Sequence, residues 1–189
     1  MANQYGEATK MILKVLAAGG FVVLAITMPK VAVHFGKIIL RHQQQGRKRY
    51  DNKKITESLQ RLRRKGVIIL KEKGDGNFVI ELTQKGRKKV EEINIEEMEI
   101  MKQKIWDKKW RIVIFDIPET RKLARNALRS KMKELKFYQL QKSVFVCPYP
   151  CEKEILFLCE FFDITRFVNI IVADSIYDDV RLMHHFNIK

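Results

Sequence analysis

The sequence predicts an α+β protein built from two domains, and three observations lead to this prediction. Residues 1–92 hold 20 Lys and Arg against 8 Asp and Glu, a net charge of +12, whereas residues 93–189 have a net charge of +3. The first part predicts helices followed by a strand hairpin, and the second predicts strands alternating with helices. We therefore expect domains at 1–92 and 106–189. The acidic stretch 93–105, free of Gly and Pro, predicts a helical linker between them.

The overall composition narrows the class of protein. With 189 residues, 46% of them apolar, the chain can form hydrophobic cores, which excludes a fully disordered protein. A formal net charge of +15 favours a polyanionic partner, nucleic acid first and an anionic membrane surface second. Three cysteines, an odd number, argue against the disulfide framework of a secreted protein. We therefore expect a reduced, cytoplasmic protein.

The N-terminal segment contains an uncharged run, "VLAAGGFVVLAITM" (15–28). A membrane-spanning helix needs about 20 apolar residues, so this run is short, and no clear signal-peptide cleavage site precedes Pro29. Gly19-Gly20 and Pro29 instead predict two core helices, at 8–18 and 21–41, with a kink or break at the proline. No membrane partner is expected.

The segment "ITESLQRLRRKG" (55–66) predicts a basic amphipathic helix, in which Gly66 suits the position just after the helix end. Two short strands follow, on either side of the turn "GDGN" (74–77), which is typical of a hairpin. Thr83 can then cap a further helix. The apolar stripe of the basic helix consists of Ile55, Leu59 and Leu62.

This order of a basic helix, a hairpin and a last helix resembles the winged helix-turn-helix family over residues 8–92. The resemblance implies that the basic helix enters the major groove of DNA and that the hairpin tip touches the flanking backbone. Lys and Arg displace counterions from a duplex, and Gln, Ser, Thr and Arg read base edges. The alternative is a solvated basic face. The expected DNA contacts are Thr56, Ser58, Gln60, Arg61, Arg63, Arg64 and Lys65 on the helix, Lys71, Lys73 and Asn77 on the hairpin, and Arg47, Lys48, Arg49, Lys53 and Lys54 in the preceding loop.

The second half predicts a βαββαβ order. The apolar strand "WRIVIFD" (110–116) leads to an amphipathic helix, and "FYQLQKSVFVCP" (137–148) contains two short strands or one bent strand. A second amphipathic helix and a final buried strand, "FVNIIVADS" (167–175), complete the pattern. This order is that of a ferredoxin-like sandwich, one sheet covered by two helices.

The motifs "WRIVIFDIPE" (110–119) and "LQKSVFVCPYP" (140–150) resemble two related groups. One is Cas2, the small CRISPR-associated protein of the spacer-acquisition complex. The other is the PaaX type of phenylacetate-pathway transcriptional repressor, which joins a winged helix to a Cas2-like domain. The likeness spans about 8–175, and the order of domains matches the repressor type. It implies a homodimer that presents two recognition helices to a palindromic double-stranded DNA site. The alternative is a Cas2-type adaptor that holds DNA beside a Cas1 integrase.

Asp116 ends the first strand of the second domain. The Cas2 resemblance implies that this acid faces its symmetry mate across a dimer and helps to bind a divalent metal such as Mg²⁺. Such a metal could activate water for phosphodiester hydrolysis, which would make the protein an endoribonuclease or deoxyribonuclease. Phe115 and Val146 depart from the Cas2 pattern, which has Tyr and Glu at these places, so we expect no catalysis. The alternative role for Asp116 is to cap the next helix or to accept a hydrogen bond from Arg121 or Arg125.

Two further sets of residues have ordinary explanations. Cys147, Cys151, His184 and His185 together contain the ligand types of a zinc site, but the histidines are distant in sequence. Cys159 is expected to be a buried thiol on the apolar face of a helix. Trp106 and Trp110 flank the predicted domain junction, and packing is the expected role for both. No zinc site is therefore expected.

Overall fold

The computed structural model describes residues 5–19, 21–25, 52–72 and 77–188. The chain forms two compact units, residues 1–96 and 97–189. Both contain helices together with an antiparallel sheet, so the predicted α+β class is confirmed. Within the described residues, no helix combines the length and the apolar character that crossing a bilayer requires.

The first unit consists of a three-stranded antiparallel sheet and three described helices. The strands lie in the order β1-β3-β2, so β3 is the central strand. In chain order the elements are α1 (Glu7–Gly19), β1 (Phe21–Ala25), α2 (Asn52–Arg64), β2 (Ile68–Glu72), β3 (Asn77–Leu82) and α3 (Gln84–Glu96).

The core of the first unit is built on the apolar stripe of α2. The side chains of Ile55, Leu59 and Leu62 are buried, as their helical spacing predicts. They belong to one cluster with buried residues of α1 and α3, among them Leu13 and Ile93. Burying an aliphatic side chain of this size stabilises the folded state by about 1.5–3 kcal/mol. This packing fixes which side of α2 remains at the surface.

The start of α3 is held against the loop that follows α2. The Gly86 N–H donates a hydrogen bond to Thr83 Oγ1 at 3.0 Å, which confirms the predicted cap. The same hydroxyl donates to the Gly66 carbonyl oxygen at 2.7 Å. Gly66 has φ +65, the left-handed conformation that a residue just after a helix end commonly adopts.

Two sequence predictions for the first unit and the linker are wrong in part. Residues 21–25 form a strand against β3 rather than the start of a helix, because the sequence FVVLA contains Phe and Val, which favour strands, and β3 offers a pairing edge. The rest of the predicted helix 21–41 lies outside the described residues. In the linker, α3 ends at Glu96, and residues 97–109 contain neither helix nor strand. Met101 and Ile105 are highly exposed there, so this stretch lacks the apolar packing that stabilises a helix in a protein.

The second unit has four antiparallel strands in the order β5-β6-β4-β7. This order, with helices in both crossover connections, is compatible with a ferredoxin-like βαββαβ sandwich. Short 3₁₀ helices precede α4 and β7, at Glu119–Arg121 and Thr165–Phe167. The main elements are β4 (Trp110–Phe115), α4 (Lys122–Glu134), β5 (Tyr138–Gln141), β6 (Val144–Cys147), α5 (Glu152–Phe161), β7 (Val168–Ala173) and α6 (Val180–Phe186).

The strand β7 is not buried as its apolar sequence predicted. Among the described strands it pairs only with β4, which leaves it at the edge of the sheet. Ile171 and Val172 are 45% and 49% exposed. An apolar run predicts that a strand is buried. Whether the strand lies at the centre or the edge of its sheet depends on pairing with residues that are distant in sequence.

The C-terminal segment packs on the second sheet as a helix. Leu182 of α6 is buried in one cluster with Trp110 of β4 and Val146 of β6. Trp106 packs against Trp110 with their ring centroids 4.9 Å apart and their planes tilted by 57°, which confirms a packing role for both tryptophans. The indole Nε1 of Trp110 donates to Asp179 Oδ2, next to the start of α6, at 3.3 Å.

Candidate nucleic-acid interface

The surface of α2 is the candidate nucleic-acid interface. Its apolar stripe faces the core, so the opposite side of the helix carries the polar residues. Helices that read DNA commonly contact base edges with their N-terminal residues. Of the residues expected to contact DNA, those exposed in and just after α2 are Lys53, Lys54, Gln60, Arg63, Arg64 and Lys65.

Two predicted contacts on α2 point toward α1 instead. Ser58 is only 5% exposed, and its Oγ accepts a hydrogen bond from Thr9 Oγ1 at 3.1 Å. Arg61 is partly buried, and its Nη2 donates to the same Thr9 hydroxyl at 2.7 Å. Ser58 follows Ile55 by three residues, which places it beside the apolar stripe. The prediction of a DNA contact is therefore wrong for Ser58. Thr56, on the other flank, is partly buried.

An acidic side chain on this surface was not among the residues predicted from the sequence. Glu57 is exposed and lies along a cleft between the start of α1 and the side of α2. The cleft has a volume of about 660 Å³, and Lys54, Arg61 and Arg64 also line it. The helical spacing of four residues from Lys53 and from Arg61 could have identified Glu57 as a member of the same face.

The hairpin provides less free positive charge than expected. Lys71 Nζ lies 2.7 Å from Glu81 Oε2 on the neighbouring strand, so this cation has an internal partner. Asn77 begins β3, but its side chain is outside the described part, as is Lys73 in the turn. Arg47, Lys48 and Arg49 also lie outside the described residues.

Asp116, the second candidate site, is exposed at the end of β4. Its backbone N–H donates to the Phe167 carbonyl oxygen at 3.0 Å, which fixes the chain direction at this point. No described residue forms a hydrogen bond or ion pair with its carboxylate, and the starts of the 3₁₀ helix and of α4 have no side-chain cap. The capping interpretation is therefore wrong.

The arginines that follow Asp116 bind other groups. Arg121 pairs with Asp163, and Arg125 pairs with Glu119 and donates to the Ile117 carbonyl oxygen. The hydrogen bond from Arg125 lowers the pKa of the Glu119 carboxyl below its usual value. These pairs hold the 3₁₀ turn after β4 in place and leave the Asp116 carboxylate to solvent.

The Ser-Val-Phe segment lies beside the end of β4. The Phe115 N–H donates to the Ser143 carbonyl oxygen at 3.1 Å, and Arg129 donates to Ser143 Oγ at 3.2 Å. The Arg129 guanidinium also lies 5.7 Å from the centre of the Phe115 ring, a distance typical of a cation–π contact. Ser143 therefore has a structural role at the sheet end.

Neither candidate metal site is assembled within one chain. Among the described residues, no group of three or more His, Cys, Asp or Glu side chains is placed to hold a metal ion. Asp116 provides a single carboxylate and belongs to no such group, so any Mg²⁺ bound there would take its other ligands from water, a substrate or a second copy. His184 and His185 are exposed, whereas Cys147 and Cys151 are buried, so the four residues do not form a zinc site.

The cysteines are structural thiols. A hydrogen bond from the Cys151 thiol lowers the pKa of Cys147, and the same contact raises the pKa of Cys151. Burial raises the pKa of Cys159 to about 11, which keeps it protonated at neutral pH. The expectation of a buried thiol at Cys159 is confirmed.

The second unit is thus a small α+β domain with a four-stranded antiparallel sheet, and its main elements follow the order β-α-β-β-α-β along the chain. The family model of the PaaX protein central Cas2-like domain matches residues 103–182, less than half of the 189-residue chain. The match supports a PaaX-type protein with a Cas2-like domain and confirms the resemblance found in the sequence for this segment. No curated protein matches the chain.

Proposed function

We propose that the chain is a homodimeric, sequence-specific regulator of transcription that binds double-stranded DNA through its first unit. The observation that carries this proposal is the exposed basic face of α2, on a helix anchored by its apolar stripe. The order α1-β1-α2-β2-β3-α3, with strands arranged β1-β3-β2, supports a winged helix. In that arrangement α2 is the recognition helix and the β2–β3 hairpin is the wing.

The charge distribution supports binding to a polyanion. Residues 1–92 carry a net charge of +12, and Arg63 and Arg64 are exposed near the end of α2. Phosphate contacts by such side chains release counterions, which makes the affinity fall as salt rises. Gln60, exposed on the same helix, can read a base edge. The PaaX-type Cas2-like domain supports the regulator class for the whole chain.

Dimerisation through the second unit is supported by one uncovered part of its sheet. Ile112, Val146 and Ile171 lie opposite one another on β4, β6 and β7. The cluster that includes Leu182 of α6 buries Val146, whereas Ile171 stays 45% exposed on an edge strand. An exposed apolar edge is a place where another chain pairs or packs. In the proposed regulator, the chain that packs against this edge is a second copy of the same protein.

A Cas2-type adaptor, working with a Cas1 integrase, is the second candidate, and the Cas2-like character of residues 103–182 favours it. A nuclease that uses Asp116 is a variant of this candidate, favoured by the exposure of that carboxylate. The described part of the chain places no group of three or more metal-binding side chains around Asp116, so in this candidate the acid of a second copy completes the site. The adaptor would grip the DNA backbone without reading its sequence.

Selection of bound duplexes from a random-sequence pool, with and without Mg²⁺, tests these alternatives. Recovery of a palindromic motif with intact DNA in both arms supports the dimeric regulator. Binding without any motif supports the adaptor and contradicts the regulator. Loss of duplex only with Mg²⁺, abolished in the Asp116→Ala variant, would establish the nuclease. Because Asp116 is exposed, this variant is expected to fold normally.

A further inference from the structure

Glu57 is the acidic residue on the exposed side of α2, and its surroundings are basic. Lys53 and Lys54 precede it by four and three residues, Arg61 follows by four, and Arg64 lies one turn further. Residues at these spacings are neighbours on a helix surface. Even so, no described residue forms an ion pair or hydrogen bond with the Glu57 carboxylate. An acid that neutralised the basic face would be expected to pair with one of these cations.

A carboxylate on a surface that approaches DNA weakens binding to every sequence, because it faces phosphates of the same charge. The repulsion is offset only where the carboxylate accepts a hydrogen bond from the DNA. In the major groove the bases offer two such donors, the exocyclic amines of cytosine and adenine. Adenine presents its N7 acceptor next to the amine, which repels the second carboxylate oxygen. Cytosine has no such acceptor on its own edge and is the better partner.

We propose that Glu57 reads a cytosine N4 amine in the major groove and so determines specificity at one base pair of the DNA site. This assignment rests on the proposed function, since it takes α2 as the recognition helix. Glu57 lies in the N-terminal half of α2, the part of a recognition helix that commonly contacts base edges. The exposed cations Lys54 and Arg64 hold the helix on the phosphate backbone, while the carboxylate rejects bases that offer only acceptors.

The test compares the whole chain with the variants Glu57→Gln and Glu91→Gln. Glutamine has nearly the helix propensity of glutamate, so both variants are expected to fold. Glu91 is exposed on α3 and is a matched control, since its replacement removes the same charge from a helix surface. Each protein is passed through the same random-duplex selection, and affinities are then measured for the selected site and for its single-base variants.

We expect the wild-type motif to contain a cytosine at which Glu57→Gln relaxes the preference by roughly ten-fold. The same variant should bind unrelated duplex more tightly than wild type, because a repulsive charge is gone. Glu91→Gln should keep the wild-type motif. An unchanged motif in Glu57→Gln, or a change at a base other than cytosine, overturns the role of Glu57 while the regulator stands. A wild-type protein that selects no motif overturns the regulator itself.

Discussion

Gly86 in α3 lies directly against Val67, and a Cβ atom at this glycine would fall 2.1 Å from the Val67 carbonyl oxygen. That carbonyl also accepts the Thr83 backbone N–H at 3.1 Å. The end of α2, the start of β2 and the cap of α3 therefore meet at one point. Only glycine, which has no Cβ atom, allows the two backbones to approach this closely.

The substitution Gly86→Ala should destabilise the first unit. The methyl group meets backbone rather than a movable side chain, so the strand or the helix must shift, at a cost of about 1–3 kcal/mol. Thermal unfolding followed by circular dichroism measures this decrease in stability. Gly19→Ala is the control, since a Cβ there has no atom within 4 Å, and it should be neutral or slightly stabilising. Equal melting temperatures for the two variants would contradict the close contact.

A buried arginine should make the second unit sensitive to acid. Arg111 is 5% exposed, and its guanidinium donates to Asp107 at 2.6 and 2.8 Å. The hydrogen bond from Arg111 holds the pKa of Asp107 below its ordinary value of 3.8. The stabilisation by ionised Asp107 is therefore fully present above about pH 4 and is lost as the pH falls through the lowered pKa.

The comparison of wild type with Asp107→Asn tests this relationship. Wild type should be the more stable protein at pH 7, because the variant leaves Arg111 without its bidentate partner. The difference in the free energy of unfolding should shrink as the pH falls below about 4, where wild type also loses the charge. Urea titrations between pH 3 and 7 measure it. A difference that stays constant over this range would show that the ionisation of Asp107 does not stabilise the fold.

The basic end of α2 should determine the salt dependence of DNA binding. Removing a side chain that binds one phosphate lowers the slope of log affinity against log salt by about 0.9. Arg63→Gln and Arg64→Gln should each reduce the slope by this amount, as measured by fluorescence anisotropy on a labelled duplex. Arg87→Gln, exposed on α3, removes an equal charge and should leave the slope unchanged. The same decrease in all three variants would indicate attraction by net charge alone.

Ile171, exposed on the edge strand β7, should support the proposed dimer. Ile171→Glu places a charge on the uncovered sheet face and should shift the protein to a monomer in sedimentation velocity, because burying an unpaired carboxylate is costly. Leu156→Glu is the control, since Leu156 is 48% exposed on α5. Dimers that persist in Ile171→Glu would place the contact elsewhere on the chain.

The sequence was informative where structure depends on neighbours along the chain. The spacing of Ile55, Leu59 and Leu62 predicted which side of α2 is buried, and Thr83 was correctly predicted to cap α3. The apolar run of β4 and the order of elements in the second unit were also predicted correctly. The motifs of that unit pointed to the Cas2-like domain that the family comparison supports. These features depend on periodicity and local hydrogen bonding, which a sequence displays directly.

Only the tertiary structure decided the features that depend on distant partners. Thr9 lies 49 residues from Ser58, and its hydroxyl draws Ser58 away from the candidate DNA surface. The pairing of residues 21–25 with β3 and the edge position of β7 depend on strands far away in the sequence. The sequence identified Asp116 as a candidate site residue, but it did not show that no described residue pairs with its carboxylate. Residues of these types occur many times in the chain, so the sequence does not show which of them will be partners. The folded structure brings particular pairs together.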